Sequence, residues 1–420
     1  MREELFYQAL RCFELALPIW AEKNLQIYGA STQANWAFVL LRLGEVKGDA
    51  SYFERALAGY DAALWIWNEQ DHPADWAGVQ MNRASVLVRL GEVKGDASCF
   101  EGALAGYDAA LRVRTEEDHP AAWARTQANW ASVLLRLGEM KGDASYFEGA
   151  LAGLDAALRV WNEQDHPADW AGIQMNRATV LLNLGKVKGD ASCFERALAG
   201  YDAALQVWTE QDHPADWAGI QMNRASVLVK LGEVKGDASC FEGALADYDA
   251  ALQVWTEQDH PAGWARTQMN RATGLLNLGK LKGDASYFDQ ALEGYCAIGR
   301  VWNEKDHPAD WANAQLNRGN AYRSLGELTD DRSKFELAVG CYEAALRGFK
   351  EGSATDQRLL VLRPLCELLC GLGRFGEAFD YLNSAVAEND AAFYEADRSE
   401  AGREQVVFRF SGMYGLLSAV

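Results

Sequence analysis

A Gln-x-Asn motif returns along this chain at a strict step of 47 residues. The seven copies are Gln33/Asn35, Gln80/Asn82, Gln127/Asn129, Gln174/Asn176, Gln221/Asn223, Gln268/Asn270 and Gln315/Asn317. An Asp-His-Pro motif and a phenylalanine keep the same step, with no insertion or deletion between copies. A fixed period of this kind indicates a repeat architecture, in which each copy folds as one small unit and stacks on its neighbours.

Each copy carries the pattern of two amphipathic helices. In the second copy the first helix begins near Pro73 and has apolar residues at three- and four-residue spacing, with glycines at its end. Ser98 and Glu101 then match a capping box, which predicts that Ser98 caps the second helix. The pair recurs as Ser51/Glu54, Ser145/Glu148, Ser192/Glu195, Ser239/Glu242 and Ser333/Glu336, with Ser286/Asp289 a weaker version. The chain is therefore predicted to be all-α.

The same pattern divides the chain into four segments. Residues 1–22 match a second helix alone, and residues 23–351 hold seven 47-residue repeats. Residues 352–392 form a shorter, degenerate repeat in which the second helix follows Leu372-Gly373 directly. Residues 393–420 are predicted to form a capping or connecting helix.

The seventh copy resembles a tetratricopeptide repeat (TPR). Its first helix reads Gln-Leu-Asn-Arg-Gly-Asn-Ala-Tyr from Gln315, followed by Leu325-Gly326. Its second helix has small and aromatic residues at Ala338 and Tyr342, as the family does. The period exceeds the family's usual one of about 34 because both connections are longer. The resemblance covers about residues 1–390 and implies a right-handed superhelical solenoid of antiparallel helix hairpins, whose first helices line a concave, protein-binding groove.

One face of each first helix is polar in every copy. In the second copy it consists of positions 78, 82, 85 and 89, which helical spacing places together. The predicted binding residues are Asn82, Asn129, Asn176, Asn223, Asn270 and Asn317, together with Arg89, Arg125, Arg136, Lys230 and Arg266. Because an amide both donates and accepts hydrogen bonds, such a ladder can hold a peptide backbone. The alternative is that the asparagines brace the hairpins internally.

The sequence offers little for catalysis. All six histidines lie in the Asp-His-Pro motif, and neighbouring copies should stand about 10 Å apart, too far to share one zinc ion. No histidine accompanies a unique serine or cysteine, and Lys-Gly-Asp lacks the Gly-Lys-Ser/Thr end of a phosphate loop. We therefore expect no enzyme activity, no cofactor and no metal site. The recurrent tryptophans are predicted to be packing residues.

The net charge limits the class of partner, and the cysteines indicate the cellular compartment. The formal net charge of −20 disfavours nucleic acid and favours a basic or neutral partner. Cys99, Cys193 and Cys240 share one repeat position with tyrosines, so they are interpreted as packing residues of a protein in the reducing cytoplasm. No apolar run reaches the length of about 20 residues needed to span a membrane. The expected partner is a protein or peptide, with the oligomeric state left open.

A narrower resemblance concerns the sequence motifs within the repeats. Trp-Ala-x-x-Gln-x-Asn with Leu-Gly-Glu is similar to long-period arrays that precede caspase-like (CHAT) peptidase domains in bacteria. The ending from Ser399 to Glu404, followed by Phe408 and Tyr414, resembles the helices that lead into such domains. This implies a scaffold or sensor whose partner is a CHAT-type peptidase or its regulator. Two alternatives stay open: the non-catalytic part of a larger TPR–CHAT peptidase, and a self-associating structural scaffold.

Overall fold

The computed structural model describes residues 2–349 and 355–395, and every regular element in these two ranges is an α-helix. The helices are α1 Arg2–Glu22, α2 Gln26–Lys47, α3 Ala50–Leu64, α4 Pro73–Lys94, α5 Ala97–Val113, α6 Pro120–Lys141, α7 Ala144–Ala157, α8 Pro167–Lys188, α9 Ala191–Val207, α10 Pro214–Lys235, α11 Ala238–Val254, α12 Pro261–Lys282, α13 Ala285–Ile298, α14 Pro308–Thr329, α15 Arg332–Gly348, α16 Thr355–Gly371 and α17 Phe375–Glu395. None of these described helices is long and apolar enough to cross a membrane. The prediction of an all-α fold is confirmed. Of the capping or connecting helix predicted over residues 393–420, residues 396–420 lie outside the described residues.

The chain divides into two compact units, Met1–Asn223 and Arg224–Val420, and the division falls within α10. In the first unit each helix from α1 to α9 packs on the next in sequence, and in the second the same holds from α11 to α17. First helices also contact each other directly, from α2 through α4 and α6 to α8, and from α12 to α14. Each unit is therefore a stack of helix pairs with their first helices side by side.

The helix boundaries follow from local chemistry. Proline opens six of the first helices, where its missing amide hydrogen costs no hydrogen bond. The first helix α4 ends at Gly95, which has a left-handed φ of 65° and donates its amide to the carbonyl of Gly91 at 2.8 Å. Lys-Gly-Asp is thus the turn that joins the first helix to the second.

The predicted capping box is wrong. The N-cap of α5 is Asp96, whose carboxylate accepts a hydrogen bond from the backbone amide of Ser98 at 2.9 Å. Ser98 is already inside the helix, and Glu101 accepts a hydrogen bond from Lys141 of the next copy at 2.8 Å. The same N-cap is used at Asp49, Asp143, Asp190, Asp237, Asp284 and Asp331. An aspartate two residues before a serine can satisfy the same free amides, so the aspartate caps the helix and the glutamate is left to link repeats.

The core is built from a close approach between each first helix and the second helix that follows it. Phe194 of α9 is 2% exposed, and its ring lies against Gly185 of α8. A Cβ atom at Gly185 would stand 2.7 Å from Cε1 of Phe194, so glycine is required for this contact. The equivalent phenylalanines Phe53, Phe100, Phe147, Phe241 and Phe288 are equally buried. Each repeat is thereby anchored by one ring against one bare stretch of backbone.

Candidate functional site

The predicted asparagines lie half-buried on the first helices. We call the surface that positions 78, 82, 85 and 89, or their copies, form on each first helix the first-helix face. Its asparagines are Asn82, Asn129, Asn176, Asn223, Asn270 and Asn317. Asn82, Asn129 and Asn176 stand at equivalent positions of α4, α6 and α8, which contact each other in that order. The first unit therefore carries three matching amides on three adjoining helices.

These amides are unpartnered. Within residues 2–349 and 355–395, none of the six asparagine side chains makes a hydrogen bond to another described residue. The internal-brace alternative therefore has no hydrogen bond to support it in this part of the chain. A half-buried amide exposes both its donor and its acceptor to solvent or to a ligand.

The third position of the face is a brace. Its hydroxyl or amide bonds the buried tyrosine of the following second helix, as in Ser85–Tyr107 at 3.0 Å and Thr179–Tyr201 at 2.8 Å. The same contact joins Ser226–Tyr248, Thr273–Tyr295 and Asn320–Tyr342 at 2.9–3.1 Å. In the third copy Leu154 replaces the tyrosine, and Ser132 bonds the carbonyl of Ala128 on its own helix at 2.9 Å. Sequence reasoning grouped this position with the binding surface. The signal it missed is the 22-residue separation of the two partners, which holds in each of these copies.

The first copy lacks this brace and supplies a test. Tyr60 is fully buried, but its hydroxyl has no partner among the described residues because Phe38 stands where other copies have serine, threonine or asparagine. We expect Tyr60→Phe to raise the free energy of unfolding by about 1 kcal/mol, since it removes an unsatisfied buried hydroxyl. The matched change Tyr107→Phe should instead lower it by about 0.5–1.5 kcal/mol. Urea unfolding of both variants measures this, and equal losses would contradict it.

The fourth position is charged, and its cations are paired. Arg89 contacts Glu45 of the preceding copy at 3.2 Å and Glu92 of its own helix at 2.9 Å. Arg136 repeats the arrangement with Glu139 at 3.0 Å and Glu92 at 3.9 Å. These exposed pairs contribute little free energy each, but they neutralise the two arginines and link adjoining first helices.

Lys230 is paired in the same way. Its ammonium lies 2.7 Å from Glu233, one turn further along α10. Where asparagine replaces the cation, Asn183 and Asn277 donate to Glu139 and Glu233 of the preceding copies at 3.1 Å and 2.8 Å. The fourth position is thus a link between repeats, with Arg89, Arg136 and Lys230 as its cationic members.

Arg125 and Arg266 differ from these cations. Both occupy the first position of the face and are exposed. In the described part of the chain neither makes a hydrogen bond or an ion pair. Of the predicted site residues, the asparagines and these two arginines therefore have free hydrogen-bonding groups.

The remaining motifs have structural roles. His72, the N-cap residue before Pro73, makes no capping hydrogen bond with its side chain; the loop is held by Asn68, whose side chain binds Asp71 at 2.8 Å. No group of three metal-ligating side chains converges among the described residues. Trp67, Trp161 and Trp302 are buried, as expected for packing residues.

Comparison with known proteins identifies the fold. No protein-family model matches this sequence, and no curated protein matches it. The chain is similar in structure to the apo form of the quorum sensor NprR from B. thuringiensis, with 16% identity, a TM-score of 0.51, and coverage of 92% of this chain and 99% of NprR. It is also similar to the apo form of RapI, with 11% identity, a TM-score of 0.50, and coverage of 92% and 98%. A C-terminal part of a TPR repeat-containing protein from Cytophaga hutchinsonii matches at 10% identity and a TM-score of 0.39, covering 80% and 97%.

At these identities the likeness concerns the fold. The protein has a TPR-like, all-α architecture of consecutive helix pairs. The resemblance of the repeats to TPR units is supported at this level.

Proposed function

We propose that this protein is a binding scaffold that holds an extended polypeptide segment against its first-helix face. The observation that carries the proposal is the row of unpartnered, half-buried amides at Asn82, Asn129 and Asn176. An extended backbone presents alternating donors and acceptors, and a row of amides can bond both. The third-position neighbours of Asn82 and Asn176 brace buried tyrosines, and Ser132 beside Asn129 bonds the carbonyl of Ala128 on its own helix. The fourth-position residues link adjoining repeats, which leaves the asparagines to the ligand.

A sensor role fits the same surface. NprR, whose fold this chain resembles, is a quorum sensor. We extend the proposal accordingly: the bound segment is a signal or a partner protein, and its binding governs a caspase-like peptidase. The link to a peptidase rests on the resemblance in sequence alone, since residues 399–408 lie outside the described residues.

A single substitution tests the location of the site. Peptides would first be selected from a random display library on the purified full chain, and their affinity measured by titration calorimetry. We expect Asn129→Ala to weaken binding by about 0.5–1.5 kcal/mol, the usual net contribution of one hydrogen bond. Gln206→Ala removes an exposed amide from the second helix α9 and serves as the matched control, with no expected change. Equal effects of the two substitutions would place the ligand elsewhere.

The alternatives give different outcomes in the same experiment. A self-associating scaffold would show a concentration-dependent mass in sedimentation and would select no peptide. A chain that only supports a peptidase would bind that peptidase and no free peptide.

A further inference from the structure

Position 114 differs from all of its copies. The other repeats hold an aromatic residue there: Trp67, Trp161, Trp208, Trp255, Trp302 and Phe349. These rings pack against first helices, and the ring of Trp208 lies 3.4 Å from the point where a Cβ of Gly172 would be. Arg114 therefore brings a cation to a position that is otherwise apolar.

The guanidinium of Arg114 lies on the first-helix face. Its Nη2 is 3.0 Å from the ideal Cβ position of Gly78, and its Nη1 is 3.6 Å from the sulfur of Met81. Gly78 is one helical turn before Asn82 on α4. The hydroxyl of Thr126 on α6 reaches the same sulfur at 3.6 Å, so the guanidinium lies where α4 and α6 adjoin.

A second cation stands beside it. Arg125 occupies the first position of the face on α6, one turn before Asn129. Burial, followed by the charge of Arg125, lowers the pKa of Arg114. Neither guanidinium lies within 4.0 Å of a carboxylate in the described residues. The next acid along the chain, Glu116, is held by Arg159 at 2.9 Å.

Arg114 and Arg125 are adjacent cations without a paired anion, so they repel each other. The chain carries 60 acidic and 40 basic residues, and most cations of the first-helix faces are paired. An anionic group between Arg114 and Arg125 would remove their repulsion. Guanidinium groups bind carboxylates through paired hydrogen bonds, so the carboxylate is the group that this geometry suits.

We propose that Arg114 and Arg125 form a subsite for one acidic side chain of the bound segment. The inference rests on the proposed function, because Asn82 and Asn129 hold the backbone on either side of that side chain. The rest of the segment is neutral or basic, since the net charge of −20 repels further acids. The repeat that differs from the others thus fixes the register of the ligand along the face.

The test compares matched peptides on matched proteins. Peptides selected on the full wild-type chain are expected to share one Asp or Glu, and its change to the amide should weaken binding about tenfold, or about 1.4 kcal/mol. The double variant Arg114→Trp/Arg125→Gly carries the residues found at these positions in other copies, so it should fold normally. It should bind the acidic peptide and its amide equally well. Thermal melting by circular dichroism checks the fold.

Arg266→Gly is the control. Arg266 occupies the position of Arg125 on α12, but Trp255 replaces the second arginine there, so the preference for the acidic peptide should stay tenfold. Loss of the preference in this variant would overturn the subsite.

Two further peptides identify the anion. Amidation of the peptide's C-terminus should change nothing; a tenfold loss would assign the site to a terminal carboxylate and overturn the side-chain assignment. Phosphoserine in place of the acid should bind no better than glutamate; a gain above tenfold would overturn the carboxylate in favour of a phosphoryl group.

The two proposals fail separately. Equal binding of the acidic and amide peptides to the wild-type chain would overturn the subsite. It would leave standing the proposal that the first-helix face binds a polypeptide segment. Selection of no peptide at all would overturn both.

Discussion

Replacing Phe194 by alanine is expected to lower the free energy of unfolding by about 3–5 kcal/mol. The ring is 2% exposed and packs against Gly185, whose bare backbone leaves no atom to fill the space that the ring vacates. The resulting cavity would lie between α8 and α9, within the first unit. Urea unfolding monitored by circular dichroism measures the loss.

The neighbouring residue Leu198 provides the control. Its side chain is half-buried, so Leu198→Ala should cost less stability than Phe194→Ala. Because stability in repeat arrays is set by each unit and its neighbours, hydrogen exchange in Phe194→Ala should increase first in α8 and α9. A uniform increase along the chain, or equal costs for the two substitutions, would contradict this account.

The triple change of Asn82, Asn129 and Asn176 to alanine is expected to weaken peptide binding by about 1.5–4.5 kcal/mol. This is three times the usual net contribution of one hydrogen bond, if the three contributions add. The melting temperature should change little, because none of the three amides bonds another described residue. Calorimetric titration and thermal melting of the same preparation measure both quantities.

The third position of the first-helix face is the control, because substitutions there should lower stability. Ser85→Ala and Thr179→Ala remove the partners of the buried Tyr107 and Tyr201 hydroxyls, so they should lower stability. A triple asparagine variant that melted early but bound with unchanged affinity per folded molecule would show that the asparagines are internal braces.

The sequence alone predicts the helices because their signals are local. Proline at the start of α4 and glycine at its end mark the boundaries without reference to any other part of the chain. The sequence does not decide which residue caps the second helix, because Asp96 and Ser98 are both good capping residues two positions apart. Only the backbone geometry decides between them.

The functional surface is harder to predict because it depends on distant partners. The sequence predicts Arg89 as a binding residue, since it lies on the polar face of a first helix. Its partner Glu45 lies 44 residues earlier, so the neighbouring sequence gives no sign of the ion pair. The sequence does not mark Arg114 as a binding residue, because Arg114 stands at the end of the second helix, away from the polar stripe in sequence. Its side chain crosses to α4, and comparison with the aromatic residues of the other copies is the signal that would have found it.

Lysine ends the first helices from α2 to α12, and this repeated residue bears on how such a gene can change. Lys94 binds Glu54 of the preceding copy at 2.7 Å, and Lys141–Glu101 and Lys188–Glu148 do the same at 2.8 Å and 2.6 Å. These copies thus offer the same donor to the copy before them and the same acceptor to the copy after them. A recombination event that adds or deletes one block of 47 codons leaves matching surfaces at the new junction. The number of repeats can therefore drift between generations while a single atypical copy, such as the one with Arg114, keeps its own specialised residue.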